Sequence, residues 1–145
     1  MHYELSSFAR PGRESKHNTI YWERKPYKGF GIGACSFDGH GRFQNEKNLF
    51  KYMQSMQENK NIIISAEGLS TEQIRLEKLM LGLRRSKGVG REEILDGMPL
   101  EMQDVFESRV SELVKQRYLV QEDGRLNLTP QGLVVENEIV SQLVR

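Results

Sequence analysis

Ten of the twelve aromatic residues of this 145-residue chain fall between Tyr3 and Tyr52, leaving only Phe106 and Tyr118 beyond them. The three histidines (His2, His17, His40) and the single cysteine, Cys35, lie in the same stretch. Charge divides the same way: residues 1–69 carry ten Lys/Arg and seven Asp/Glu, whereas residues 70–145 carry eleven and thirteen, so a +3 piece precedes a −2 piece within a net +1. The length suits one domain with a sizeable core. The split predicts that two chemically different pieces, joined near Gly68, make it up.

One cysteine cannot close an internal disulfide or build a cysteine-ligated metal cage, which excludes stapled secreted scaffolds, four-cysteine zinc modules and self-contained iron–sulfur proteins. The apolar runs Asn61–Ser65 and Gly132–Val135 fall far short of the roughly 20 residues that cross a bilayer. No membrane span is expected. The residues up to Gly12 show no cationic region leading into an apolar core, so no secretory signal is read and the cytoplasm is the expected compartment. A net charge of +1 gives no global attraction to a polyanion.

In the first piece, Tyr3–Phe8 alternates apolar and polar residues and stops at Arg10-Pro-Gly12, which predicts a strand entering a turn. Ser15 suits the N-cap of a short helix carrying His17, Asn18, Tyr21 and Trp22, ended by Pro26. Lys28–Phe37 reads as a glycine-rich strand with a loop at Asp38–Gly41. A helix capped by Asn45 is then expected, with Leu49, Phe50, Met53 and Met56 on one face.

The second piece reads as helices and one hairpin. Ser70 and Gln73 resemble a capping box, opening an apolar helix (Ile74, Leu76, Leu79, Leu83) that runs to Gly88. A short helix around Glu92–Leu95 follows. Pro99 starts the next, with Met102, Val105, Phe106, Val110, Leu113 and Val114 at helical spacing. Asp123-Gly124 between two short apolar runs predicts a type I′ hairpin over Tyr118–Leu128. Thr129 caps the final helix, with Pro130 in its first turn. Helix, helix, helix, hairpin, helix is the order of a winged-helix module.

Three constellations bear on chemistry. His17 and Tyr21 are four residues apart on a helix and share a face, with Asn18 and Trp22 alongside. An imidazole beside aromatic rings can ligate a haem iron or stack on a macrocycle. The competing reading makes Tyr21 and Trp22 core residues and His17 their polar neighbour. In Gly29–Ser36, alternate glycines bare one face of a strand, for a ligand or for another backbone; the spacing is not the dinucleotide fingerprint. Cys35 with His17 or His40 as base would be a hydrolase nucleophile, although buried structural cysteine is the commoner case. A winged helix raises DNA binding, but the helix after Pro99 places Glu101, Asp104 and Glu107 before its first base, Arg109. Such a surface repels phosphates, so nucleic acid is disfavoured as a partner.

Taken in order, these residues resemble the C-terminal portion of the radical S-adenosylmethionine family that includes the oxygen-independent coproporphyrinogen III oxidases (HemN) and the haem chaperones (HemW). Tyr3-Glu-Leu-Ser-Ser-Phe-Ala9 resembles the family's strand, and Arg10-Pro-Gly12 its turn. His17-Asn18-x-x-Tyr21-Trp22 matches in full the motif of the chaperone branch. Gly29–Ser36 resembles a family glycine-rich strand. Arg42-x-x-Asn45, Leu69-Ser70, Leu81-x-Leu83-Arg84, Gly88-Val89 and Leu128-Thr129-x-x-Gly132 follow in the family's order.

The resemblance implies an α+β architecture: residues 1–45 as the last strands and helix of an incomplete TIM-like barrel, 46–68 as a connecting helix and linker, and 69–145 as a helical, winged-helix-like C-terminal domain. It implies haem or porphyrin at His17, Asn18, Tyr21 and Trp22, with His17 the candidate iron ligand. S-adenosylmethionine would lie near Gly31, Gly33, Ala34 and Cys35. The [4Fe-4S] cluster motif of three cysteines is absent, so the chain reads as a fragment that is not catalytic by itself, partnered by an upstream barrel and by a haem-acceptor protein. Cys35 stands where the chaperone branch usually has His, and Ile32 where it usually has Pro. The implied function is haem binding and transfer; the alternatives are a fragment of a porphyrinogen oxidase and a winged-helix interaction module.

Overall fold

The computed structural model describes residues 1–144. In chain order they form β1 (His2–Glu4), β2 (Ser7–Phe8), α1 (Lys16–Trp22), β3 (Cys35–Phe37), β4 (Gly41–Asn45), α2 (Leu49–Gln57), β5 (Ile63–Gly68), α3 (Thr71–Leu83), β6 (Val89–Gly90), α4 (Arg91–Leu95), α5 (Leu100–Lys115), β7 (Leu119–Glu122), β8 (Arg125–Leu128), α6 (Pro130–Val134) and α7 (Glu136–Val144). Helices and strands are mixed, as expected; the paired strands, including those within residues 1–45, are antiparallel rather than parallel like the strands of a TIM-like barrel. They group into two compact units, Met1–Glu23 with the residues from Glu72 onward, and Arg24–Thr71. The change of character near Gly68 thus falls at a unit boundary, but the first 23 residues belong with the C-terminal piece rather than with residues 24–45.

In the first unit, Tyr3–Phe8 is a small hairpin rather than one strand, with β1 and β2 paired His2↔Phe8 and Glu4↔Ser7. Ser6 fixes its turn by donating its amide and hydroxyl to the Glu4 carboxylate at 3.1 and 3.0 Å. Ser15 caps α1, accepting the Asn18 amide at 3.2 Å. α3 stops at Leu83, short of Gly88, because the following backbone turns to the hairpin: the Leu5 amide donates to Arg84 O at 2.8 Å, and the Ser86 amide to Tyr3 O at 3.2 Å. The β7–β8 turn has Asp123 at φ 50° and Gly124 at φ 72°, the left-handed pair that a two-residue type I′ turn requires. β8 is the centre of a three-stranded sheet, β6-β8-β7. Thr129 caps α6 through the Gly132 amide at 3.0 Å. The expected single final helix breaks at Val135 into α6 and α7. Leu79, Ile94, Phe106, Leu119, Leu126 and Ile139 anchor the core, each at most 2% exposed. Met102 and Val105, although in helical register with that core, are about half exposed, at 49% and 47%.

In the second unit, β3, β4 and β5 form an antiparallel sheet in that order. Residues 63–68, expected within a linker, supply its third strand, with Phe43↔Ala66 in register. Asn45 is not a helix cap: it ends β4, buried, and Asn48 caps α2 instead, accepting the Lys51 amide at 3.1 Å. Leu49, Phe50, Met53 and Met56 do share a face of α2, but that face lies in solvent. Among the described residues, no helix is long and apolar enough to cross a membrane.

Candidate functional site

The helix α1 presents His17, Asn18 and Tyr21 to solvent and turns Trp22 inward. Its one-turn spacing brings Tyr21 Oη within 3.1 Å of His17 Nε2, in hydrogen-bond contact, with the two rings edge to face at 5.0 Å and 89°. Trp22 is half-buried and packs against Tyr3 at 5.6 Å. The motif is therefore divided. Trp22 is a packing residue, whereas His17, Asn18 and Tyr21 form an exposed polar and aromatic surface. A neutral imidazole has one acceptor nitrogen. An iron at His17 would take Nδ1 while Tyr21 holds Nε2–H, or take Nε2 after displacing the phenol. His2, by contrast, is tied to its own hairpin, with Nε2 3.1 Å from Leu5 O and its ring stacked on Phe8.

Gly31, Gly33, Ala34 and Cys35 lie in the other unit. The glycine-rich segment is not a continuous strand; β3 begins only at Cys35. The glycines serve different ends. A Cβ on Gly29 would collide with the Cys35 carbonyl, so that glycine permits a close backbone approach. Gly31 and Gly33 sit at φ 97° and 66°, a turn that disfavours any side chain. Asn45 locks this turn from below, its Nδ2 donating to Gly31 O at 2.9 Å, while the Gly33 amide donates to Glu46 O at 2.8 Å. A Cβ on Gly31 would meet nothing within 4 Å, so the outer side of the turn is open to a ligand.

Cys35 is exposed and accepts a weak hydrogen bond from Gln44 Nε2 at 3.4 Å. Among the described residues no hydrogen bond joins it to His40, the histidine of its own unit. No group of three or more His, Cys, Asp or Glu residues is placed to hold a metal among the described residues. With one cysteine the donor set of this chain does not fit a three-cysteine iron–sulfur cluster.

The residues that local patterns miss are charged. Glu4, only 2% exposed, receives Arg84 Nε and Nη2 on one oxygen at 3.2 and 3.0 Å; Arg84 Nη1 also lies 4.0 Å from the buried Glu136. Burial pushes the Glu4 carboxyl up, but hydrogen bonds from the Ser6 amide, the Ser7 and Ser6 hydroxyls and Arg84 outweigh it and hold it below the usual range. One residue along, Arg85 Nη2 meets Glu23 Oε1 at 2.6 Å.

Residues 69–135 match the sequence model of the HemN C-terminal domain. Over 143 residues, 99% of this chain, the sequence is 30% identical to "Heme chaperone HemW" of Lactococcus lactis, of which it covers 37%. It is 41% identical over 90 residues, 61% of this chain, to the protein of the same name from Synechocystis, covering 22% of it. The fold is similar, at a TM-score of 0.64 and 18% identity, to Escherichia coli coproporphyrinogen III oxidase (HemN), described as a radical SAM enzyme. That match covers 97% of this chain and 37% of the enzyme. The chain thus spans little more than a third of the length of the Lactococcus and Escherichia coli proteins.

Proposed function

We propose that this chain, similar to the HemN C-terminal domain over residues 69–135 and to haem chaperones named HemW over nearly its whole length, is the C-terminal part of a cytosolic HemW-like haem chaperone of the radical S-adenosylmethionine family, which binds haem and passes it to an acceptor protein. The observation that carries this reading is the complete His17-Asn18-x-x-Tyr21-Trp22 motif on an exposed helix. Trp22 anchors the helix, His17 is the iron ligand, and Tyr21 and Asn18 supply a ring face and a polar edge to the macrocycle. The names of the curated relatives support haem as the cargo.

In the parent protein, the N-terminal part of this chain would adjoin a TIM-like barrel, and residues 69–145 would form a winged-helix-like domain; the segment between them is no simple linker, since β5 pairs with β4. The β6-β8-β7 sheet, with its hairpin following α5, supports the winged-helix reading. S-adenosylmethionine and its cluster would belong to that longer protein, with the open side of the Gly31–Cys35 turn near the adenine. The winged-helix-like domain is not read as a DNA binder: Glu101, Asp104 and Glu107 lead α5, and Glu107 is paired with Arg91 at 2.6 Å.

Haemin titration followed at the Soret band, with the wild-type chain and His17→Ala in parallel, tests the reading. Loss of the ligated Soret species in the variant is expected; unchanged binding would overturn the assignment of His17. Decarboxylation of coproporphyrinogen by the full-length gene product would instead establish the oxidase alternative.

A further inference from the structure

The helix that carries His17 is seven residues long and has no fully buried residue. A helix this short is marginal alone, so its orientation must come from what holds its ends. The Ser15 amide, at its N-cap, donates to Tyr3 Oη at 3.3 Å, and Trp22 leans on the Tyr3 ring. Tyr3 is fixed in turn by the Ser86 amide on its carbonyl and by Arg84, which grips the neighbouring Glu4. At the other end Glu23, the C-cap residue, is bound by Arg85. Of two consecutive arginines that leave α3, Arg85 thus holds the C-cap of α1 directly and Arg84 supports its N-cap through Glu4 and the adjoining Tyr3, across sequence separations of 62 residues for Arg85–Glu23 and 80 for Arg84–Glu4.

We propose that Arg84 and Arg85 are positioning residues for the His17 surface. They set the direction of the imidazole through the two ends of its helix, without contacting the ligand. The inference rests on the reading that His17 meets haem, and it adds the elements of the C-terminal domain on which that site depends. A guanidinium is suited to the task because its rigid fork holds a carboxylate in a fixed orientation, which a lysine does less well.

Arg85 is the cleaner probe, since Arg84 also serves buried carboxylates and its loss threatens folding. In Arg85→Ala, amide exchange at Thr19 and Glu23, which close the α1 hydrogen bonds, should accelerate while core amides of α5 stay unchanged. Haemin affinity should fall about tenfold, the scale of losing a residue that orients a metal ligand, with altered visible bands. Arg85→Lys should restore part of both, and adding Glu23→Ala to Arg85→Ala should cost little more. Unchanged exchange in α1, or wild-type haemin affinity and spectrum in Arg85→Ala while His17→Ala abolishes ligation, would overturn the proposal. Should His17→Ala itself bind as wild type, the haem reading falls and takes the positioning role with it, whereas the exchange result separately reports whether Arg85 holds the helix.

Discussion

The two units use apolar side chains in opposite ways. In the first, aliphatic residues of α3, α5, α7 and the β6-β8-β7 sheet are buried together, and the charged residues Glu4, Arg84 and Glu136 are tied to one another at its margin. In the second, which holds six of the twelve aromatic residues, Phe37 is buried with the guanidinium centres of Arg24 and Arg42 5.1 and 5.8 Å from its ring, while Phe30 and Phe50 are more than 80% exposed. Aromatic density in the sequence therefore does not locate the core. A face such as Leu49, Phe50, Met53 and Met56 has helical periodicity whether it meets protein or water, and large exposed apolar residues in a cluster are the informative case.

The contrast can be broken by substitution. Phe106→Ala, in the packed core of the first unit, should cost about 3–5 kcal/mol, read as a lower urea midpoint by circular dichroism; a loss below about 1 kcal/mol would mean that this core is not close-packed. Glu4→Gln should cost roughly 2–3 kcal/mol, less than for a fully buried pair because the Arg84 side chain keeps 34% of its exposure. It should also change the pH profile. The folded carboxyl titrates below its ordinary 4.5, so the unfolded chain binds the proton first. The stability Glu4 contributes is complete above pH 4.5 and disappears as the pH falls through the lower, folded value. An acid titration of the Gln variant should lack that slope.

In the second unit the effects should be smaller. Asn45→Ala removes the bond to Gly31 O and should cost about 1–2 kcal/mol, with faster amide exchange at Gly33 and Ala34. Phe50→Ala should change stability by less than about 0.5 kcal/mol and should lower binding of a hydrophobic dye. A large destabilisation there would show that the α2 face is covered after all.

The local chemistry of the chain was legible wherever it is self-contained. Asp123-Gly124 specified its hairpin, Ser15 and Thr129 their caps, and Phe106, Val110 and Leu113 the inner face of α5. The failures share a cause. Glycines at 29, 31 and 33 look alike in a strand pattern, yet one makes room for a carbonyl and the others permit a left-handed turn. The end of α3 at Leu83 and the split of Tyr3–Phe8 into a hairpin depend on each other, through backbone pairs that no window of sequence contains. The His17–Tyr21 face followed from its four-residue spacing, while the arginines that flank its helix are joined to it only by the fold.

The route of the chain between Glu23 and Glu72 makes residues 24–71 an excursion whose two ends return to the same unit. Covalent continuity and structural integrity are therefore separable. A tryptic cut after the exposed Lys60, in the turn between α2 and β5, would yield peptides 1–60 and 61–145 that still share the β4–β5 ladder in one unit, and the Leu5–Arg84, Glu4–Arg84 and Glu23–Arg85 contacts in the other. The nicked protein should elute as a single particle under native conditions and divide only in denaturant, which makes this fold a candidate for reconstitution from two halves.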